Sequence, residues 1–266
     1  MDYTHLINGM KKYNATEIDI LKHSLGVLPE QINENVIIAP SWKPDIFIEF
    51  REAEVLTNPN RFISVWNVES NNEVISYIRT GYGASMILEG LVPLGLTNCK
   101  KIIFIGSAGA LNTNINIGDL VIPEFSVCGD GASRYISSDD LTRDVFGEKE
   151  YPNKQLFDLA ISKAKDICDE HNIRWHIGKN FSIDTIAAQF AHIDTLTNMG
   201  CNVVEMETAA AFRIARLMDI PMLALFNISD NVSTEKSLVT GRTQEEKEYR
   251  EYTRRELFPK IIFSIL

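Results

Sequence analysis

Short apolar runs alternate with loops and with stretches of helical period along this chain. Val36 to Ala39 reads as a buried strand that stops at Pro40, because proline cannot donate to a ladder. Val74 to Ile78 reads as a second strand, ending at Gly81-Tyr82-Gly83. Residues 84–94 follow as a helix closed by Pro93 and Gly95. Lys101 to Ile105 predicts a third strand that runs into Gly106-Ser107-Ala108-Gly109, and a turn at Gly118-Asp119 leads to a fourth, Leu120 to Ile122. Over 153–170, Leu156, Leu159, Ala160, Ala164 and Ile167 recur at helical spacing. Asn202 to Val204 then predicts a strand, Glu207 to Met218 an alanine-rich helix, and Met222 to Ile228 a last buried strand.

Several of these strands are apolar on both faces, as a sheet covered on both sides requires. The expected fold is therefore α/β: a single domain over residues 35–266, with a mixed central β-sheet flanked by helices. Residues 11–35 are helical in pattern but polar, so 1–34 are expected to form an N-terminal helical extension. The apolar tail from Leu257 to Leu266 is interrupted by Pro259 and Lys260 and reads as a docked terminal segment.

Composition narrows the partners. Of 266 residues, 45% are apolar and 23% charged, enough for a sizeable core and unlike a disordered chain. The formal net charge of -10 repels phosphate backbones, which argues against a nucleic-acid partner while leaving room for a local basic pocket. Cys99, Cys128, Cys168 and Cys201 form no CxxC pair, and no HExxH or HxxxH motif accompanies them. They are expected to be free thiols in a reducing compartment, with no metal bound. No apolar run approaches the ~20 residues that span a bilayer, and residues 1–5 show no signal pattern. A cytoplasmic location and no membrane partner are expected.

Three segments carry candidate chemistry. Gly106-Ser107-Ala108-Gly109 follows a strand, where glycines let backbone approach a ligand and exposed N–H groups suit an anion. It lacks the GxGxxG spacing of a dinucleotide site, and Asn112 to Gly118 reads as loop rather than helix; a tight structural turn is the other reading. Val204-Glu205-Met206-Glu207 sets two carboxylates at a strand end, on one face if the strand continues. The alternative is a pair of acids favoured at a helix N-terminus. Ser229-Asp230-Asn231 follows the last strand. Asp230 is either a buried acid able to donate a proton or part of an Asx turn.

Taken in this order, Gly-Ser-Ala-Gly, Val-Glu-Met-Glu and Ser-Asp resemble the nucleoside phosphorylase superfamily, which includes the nucleosidases acting on methylthioadenosine and S-adenosylhomocysteine. The resemblance runs from about Asn35 to Arg242, with a short match near the N-terminus. It implies a nucleoside phosphorylase-like fold and cleavage of the N-glycosidic bond of a purine nucleoside. Phosphorolysis to free base and ribose-1-phosphate is the leading expectation, with inorganic phosphate as co-substrate and no cofactor. Hydrolysis, or a catalytically silent nucleoside-binding relative, is the alternative. By the resemblance Glu207 holds the ribose hydroxyls, Met206 lines the sugar, and Asp230, preceded by Ser229, meets the leaving base. Arg242 assists Asp230, Ser107 lies beside the phosphate or the attacking water, Tyr82 runs along the ribose and Ile186 faces the base. Ser41, Lys43, Arg61 and Ser107 form the expected phosphate group. His5 and Arg61 resemble residues lent to a neighbour's site, which implies a homo-oligomer (dimer, trimer or hexamer) with shared active sites.

The chain also departs from the pattern. Ser41 stands where a glycine is expected, and Asp45 and Phe104 stand where arginines are expected. Arginine suits phosphate because its planar fork donates two hydrogen bonds at once. An aspartate there would repel the anion unless it points away, and Lys43, Arg61 and the donors around Ser107 are the residues expected to compensate.

Overall fold

The computed structural model describes residues 1–47, 52–57, 61–70 and 73–266. Helices α1 (Tyr3–Lys11) and α2 (Glu17–Ser24) precede strands β1 (Asn35–Ala39), β2 (Glu52–Val55), β3 (Ser64–Ser70) and β4 (Glu73–Arg79). Helix α3 (Ala84–Leu91) leads to β5 (Lys101–Ala110), β6 (Leu120–Gly129), β7 (Lys149–Glu150), α4 (Lys154–His171) and β8 (Trp175–Ile183). Next come α5 (Ile186–Gln189), α6 (Ile193–Asn198), β9 (Val203–Glu205), α7 (Thr208–Met218) and β10 (Met222–Asn231). The chain closes with α8 (Gln244–Tyr252) and α9 (Phe258–Ile265).

Strand alternation sorts the side chains into two cores. Val36 and Ile38 of β1, Ile102 and Phe104 of β5, and Ala224 and Phe226 of β10 point to one face, under α3 and α7. Ile37, Ile103, Ile105, Leu223 and Leu225 point to the other, against α4 and α9. Both faces of the central strands are thus covered, which is why they read as continuous apolar runs. Leu21, Leu25 and Val27 bring the N-terminal segment into the first core, and the Tyr3 hydroxyl donates to the Val92 carbonyl at 2.8 Å. The C-terminal segment is docked as expected. Phe258, Ile261, Ile262 and Ile265 are buried, and the Lys101 ammonium donates to the Ile265 and Leu266 carbonyls at 3.0 and 2.7 Å.

The sheet is mixed, as the alternation of strands and helices implies. β5, β10, β6, β8 and β9 pair in a closed ring, and β1, β4, β3 and β2 extend it from the first half of β5. β1 runs parallel to residues 101–104 of β5, whereas β9 runs antiparallel to Gly109 and Ala110. Between these two pairings, Gly106, Ser107 and Ala108 remain paired to β10 alone. The sheet forks there, and a fork between strands is where open α/β sheets bind ligands.

Two features differ from the sequence pattern. Gly106-Ser107-Ala108-Gly109 lies inside a ten-residue strand rather than in a turn beyond it, because β10 keeps pairing it. β6 continues to Gly129, and β2, β3, β7 and β8, the last alternating polar and apolar, have no counterpart among the expected strands. All four cysteines are buried and unpaired; burial pushes the Cys99 and Cys168 thiols up to about 12 and those of Cys128 and Cys201 to about 11.

Candidate active site

A cavity of about 860 Å³ opens at the fork of the sheet. That lies within the ~300–1,000 Å³ usual for small-molecule sites. Its two central carboxylates come from different strand ends.

β9 stops at Glu205, and the backbone turns at Glu207 (φ -135°, ψ -39°) to begin α7. The turn breaks strand alternation, yet both glutamates line the cavity and their carboxyl groups stay close; what differs is their partners. Glu205 accepts the Glu207 and Thr208 N–H groups at 2.7 and 2.9 Å with one oxygen. Its other oxygen accepts from Asn180 at 2.6 Å and from the Ser182 hydroxyl. It is the helix-start acid of the alternative reading: it too lines the cavity, but both of its oxygens are already engaged. The Glu207 carboxylate accepts the Gly83 N–H at 2.7 Å and the Met206 N–H at 3.2 Å. Gly83 has φ +93°, a conformation that a side chain would strain, so glycine is what lets this N–H face the carboxylate. Burial, reinforced by the nearby Glu205 charge, pushes the Glu207 carboxyl well above the usual carboxylate range.

Asp230 is aimed by a β-bulge. β10 and β5 are in register through Ile228 and Ala108, then slip by one residue at Ser229, so that Asp230 stands opposite Gly109. A Cβ at position 109 would lie 3.3 Å from Asp230 Oδ2, so this glycine makes room for the carboxyl. The Ser229 hydroxyl donates to Asp230 Oδ1 at 2.6 Å, while Oδ2 is buried with no hydrogen-bond partner among the described residues. Burial raises the Asp230 carboxyl above the usual range; the Ser229 hydrogen bond and the charges of Arg242 and Arg250 pull against it. Arg242 Nε donates to the Ser229 carbonyl, which holds its guanidinium beside this strand end.

The cavity brings together most of the residues expected from the sequence. Tyr82, Ser107, Ile186, Met206 and Ser229 line it with Glu207, Asp230 and Arg242, and Ser41 joins them from the early loop. Tyr82 is 67% exposed at the mouth. His5, Lys43 and Arg61 do not line this cavity within one chain. His5 Nε2 lies 3.6 Å from Asp139, and Lys43 is exposed. The Arg61 guanidinium donates to the His23 and Ser24 carbonyls and lines a separate hollow with Phe62 and Met86. Phe104 is buried edge-on against Phe226 with ring centroids 6.1 Å apart, and Asp45 is exposed outside the cavity lining.

Sequence reasoning missed Trp42, Arg250 and Arg254, which also line the cavity. Arg250 Nη2 donates to the Ser107 hydroxyl at 2.8 Å, and the Arg254 guanidinium lies 5.6 Å from the Trp42 ring centroid. The two arginines are four residues apart in Tyr-Arg-Glu-Tyr-Thr-Arg-Arg-Glu, the spacing of one helix face. That spacing was the available signal, but so charged a stretch reads equally as a solvated face.

This fork, with a buried glutamate at one strand end and a buried aspartate at another, defines a class of protein. Residues 43–263 match the Phosphorylase superfamily, and the chain belongs to that family. It is 27% identical over 188 residues to a DeoD-type purine nucleoside phosphorylase of Streptococcus thermophilus, covering 69% of this chain and 74% of that one. A DeoD-type purine nucleoside phosphorylase of Streptococcus pneumoniae is 28% identical over 163 residues, covering 59% of this chain and 64% of the relative. Among solved structures, a uridine phosphorylase of Vibrio fischeri superposes with a TM-score of 0.71 at 19% identity, covering 88% of this chain and 91% of that one. An AMP nucleosidase of Bacteroides thetaiotaomicron gives 0.68 at 16% identity, covering 94% and 96%. These structural likenesses concern the fold. No helix among the described residues is long and apolar enough to cross a membrane.

Proposed function

We propose that this protein cleaves the N-glycosidic bond of a purine nucleoside by phosphorolysis, releasing free base and ribose-1-phosphate. The observation that carries this reading is the convergence of Glu207 and Asp230 on one cavity, each with its carboxyl raised above the usual range by burial. As the bond from C1′ to the base nitrogen breaks, its electron pair leaves with the base and positive charge builds on the ribose. A protonated Asp230 delivers its proton to the departing base. Glu207 accepts hydrogen bonds from the ribose hydroxyls and fixes the sugar in a reactive pose. A phosphate oxygen beside Ser107 forms the new bond to C1′. The hydrogen phosphate gives up its proton in the process, and Asp230 is reprotonated, so the reaction needs no cofactor beyond phosphate.

The relatives named purine nucleoside phosphorylase support this choice of substrate and nucleophile. A hydrolytic reading has its own support in Asp45 and Phe104, which occupy positions where phosphate-binding arginines were expected. His5 and Arg61 are read as groups that a second copy of the chain offers to the cavity mouth, in a closed homo-oligomer. Four buried thiols fit work in the reducing cytoplasm.

The test is to incubate inosine, adenosine and methylthioadenosine with and without phosphate, then separate base, ribose and ribose-1-phosphate. Phosphate-dependent base release with ribose-1-phosphate is expected. Phosphate-independent release with free ribose replaces phosphorolysis by hydrolysis, and no release from any nucleoside leaves a silent binding protein.

A further inference from the structure

The cavity carries a concentration of positive charge that the early loop does not supply. Arg242, Arg250 and Arg254 all line it, and all three come from the segment after β10. Arg242 is already engaged, through Nε, with the Ser229 carbonyl. Arg250 engages the Ser107 hydroxyl through Nη2, but its Nε, like that of Arg254, is buried without a hydrogen-bond partner among the described residues. A guanidinium removed from water with a donor unmatched is costly unless an anion completes it. Charge repulsion between the arginines adds to that cost. Burial, Arg254 and Arg242 together lower Arg250 to about 10, against an ordinary value of 12.5.

Their placement is specific. Arg250 reaches the Ser107 hydroxyl at the fork of the sheet, and Arg254 lies over Trp42, the residue after Ser41 in the early loop. The two guanidinium groups therefore lie beside both places where the phosphate was expected, the Ser107 strand and the early loop. They share a helix face, which continues through a π-helical turn at Thr253–Leu257. The helix is clamped at Tyr249, the residue before Arg250. The Tyr249 hydroxyl donates to Asp119 Oδ1 at 3.2 Å, and His176 Nε2 lies 2.7 Å from Asp119 Oδ2. Gly118 packs so tightly under this helix that a Cβ there would come 2.4 Å from the Tyr249 ring and 3.0 Å from the Arg250 nitrogen.

The geometry points to a phosphate subsite built by Arg250, Arg254 and the Ser107 hydroxyl, in which the C-terminal helix takes over the work of the early-loop and strand arginines replaced by Asp45 and Phe104. Asp119 and Tyr249 are positioning residues for it. The inference rests on the phosphorolysis reading for its place in the reaction, but the ligand chemistry is a phosphate group whether it arrives as free phosphate or attached to the substrate's ribose.

Phosphate binding is measured first without nucleoside, by titration calorimetry of inorganic phosphate into wild type, Arg250→Gln, Arg254→Gln and Arg254→Lys. The dissociation constant should weaken about tenfold or more in each glutamine variant, and lysine should restore part of it as a point charge without the fork. Melting temperatures without phosphate check that each variant is folded, and Arg254→Lys carries the test if a glutamine variant is not. Phosphate bound by both glutamine variants to within about twofold of wild type, or not bound by wild type, overturns the subsite.

Kinetics then separate the two sources. Phosphate-dependent base release from a nucleoside, giving ribose-1-phosphate, assigns the subsite to free phosphate. Release from a nucleoside 5′-monophosphate without added phosphate, giving ribose-5-phosphate, assigns it to the substrate's own phosphate. In each case Arg254→Gln should raise KM for the phosphate-bearing partner by about tenfold. An unchanged KM overturns the assignment. Because binding is read without turnover, failure to cleave any nucleoside would refute the proposed function while leaving the subsite result standing.

Discussion

Replacing Asp230 by asparagine separates catalysis from folding. The Ser229 hydroxyl can still donate to Oδ1 of an asparagine, and the new amide nitrogen takes the place of Oδ2, which has no partner to lose. Shape and the Ser229 hydrogen bond are therefore kept, while the amide N–H groups at the Oδ2 position are left unmatched, a cost of about 1–3 kcal/mol. The folded state raises the Asp230 carboxyl above its ordinary 3.8, so its ionised form costs stability once pH passes that range, and asparagine removes this cost. The two effects oppose, so the melting temperature at neutral pH should stay within a few degrees of wild type, at about 2–4 °C per kcal/mol for a chain of this order. Turnover should behave in the opposite way. Loss of a positioned general acid costs about 10²–10⁴-fold, or roughly 2.7–5.4 kcal/mol of barrier. Substrate affinity should change far less, because the proton is needed only as the base departs. The assay is base release under saturating nucleoside and phosphate across pH, beside a thermal melt of the same preparations. In wild type the protonated carboxyl is the active form, so the rate should fall as pH rises through the raised Asp230 pKa, and the variant should lack that limb. A variant that keeps more than about half of wild-type turnover refutes the acid role.

Glu207→Gln should narrow the preference for ribosides over 2′-deoxyribosides, since each charge-assisted hydrogen bond to a hydroxyl is worth about 1.5–3 kcal/mol. Equal losses for both substrates would leave Glu207 a structural acid. Because the folded carboxyl is raised well above 4.5, the native state holds more protons than the unfolded chain over that interval. Wild-type stability should therefore fall relative to Glu207→Gln as pH rises from about 4.5 through the folded pKa, as measured by denaturant melts; a constant difference would contradict the shift. Gly118→Ala places a Cβ at φ +92° against Tyr249. It should cost about 1–3 kcal/mol of stability and raise KM for phosphate more than KM for nucleoside, whereas an unchanged phosphate KM would detach this contact from Arg250. Light scattering at assay concentration should show a homo-oligomer, and an active monomer would remove His5 and Arg61 from the site.

Much of the architecture was legible because it depends on local pattern. Continuous apolar runs at Val36–Ala39, Lys101–Ile105 and Met222–Ile228 can be satisfied only between two covering layers, and the helical recurrence from Leu156 to Ile167 names one of the covers. The order of Gly-Ser-Ala-Gly, Glu-Met-Glu and Ser-Asp was equally visible, and Ser107, Met206, Glu207, Ser229 and Asp230 do meet at one cavity. Both glutamates line that cavity, and sequence spacing could not say which of them is already engaged by the protein. A single backbone turn at Glu207 decided it, by giving Glu205 to the N-terminus of α7. Nor could spacing reveal the bulge at Ser229, since one unpaired residue leaves no mark on composition yet re-aims Asp230. Arg250 and Arg254 were hidden for a related reason. A charged helix face looks the same in sequence whether it meets water or a cavity, and only its docking over Gly118 and Trp42, residues more than a hundred positions away, turns two ordinary arginines toward Ser107. Local pattern sets which segments become strands and helices because that choice depends on neighbours in the chain; which side chains share a site depends on contacts between distant segments, and those exist only in the folded molecule.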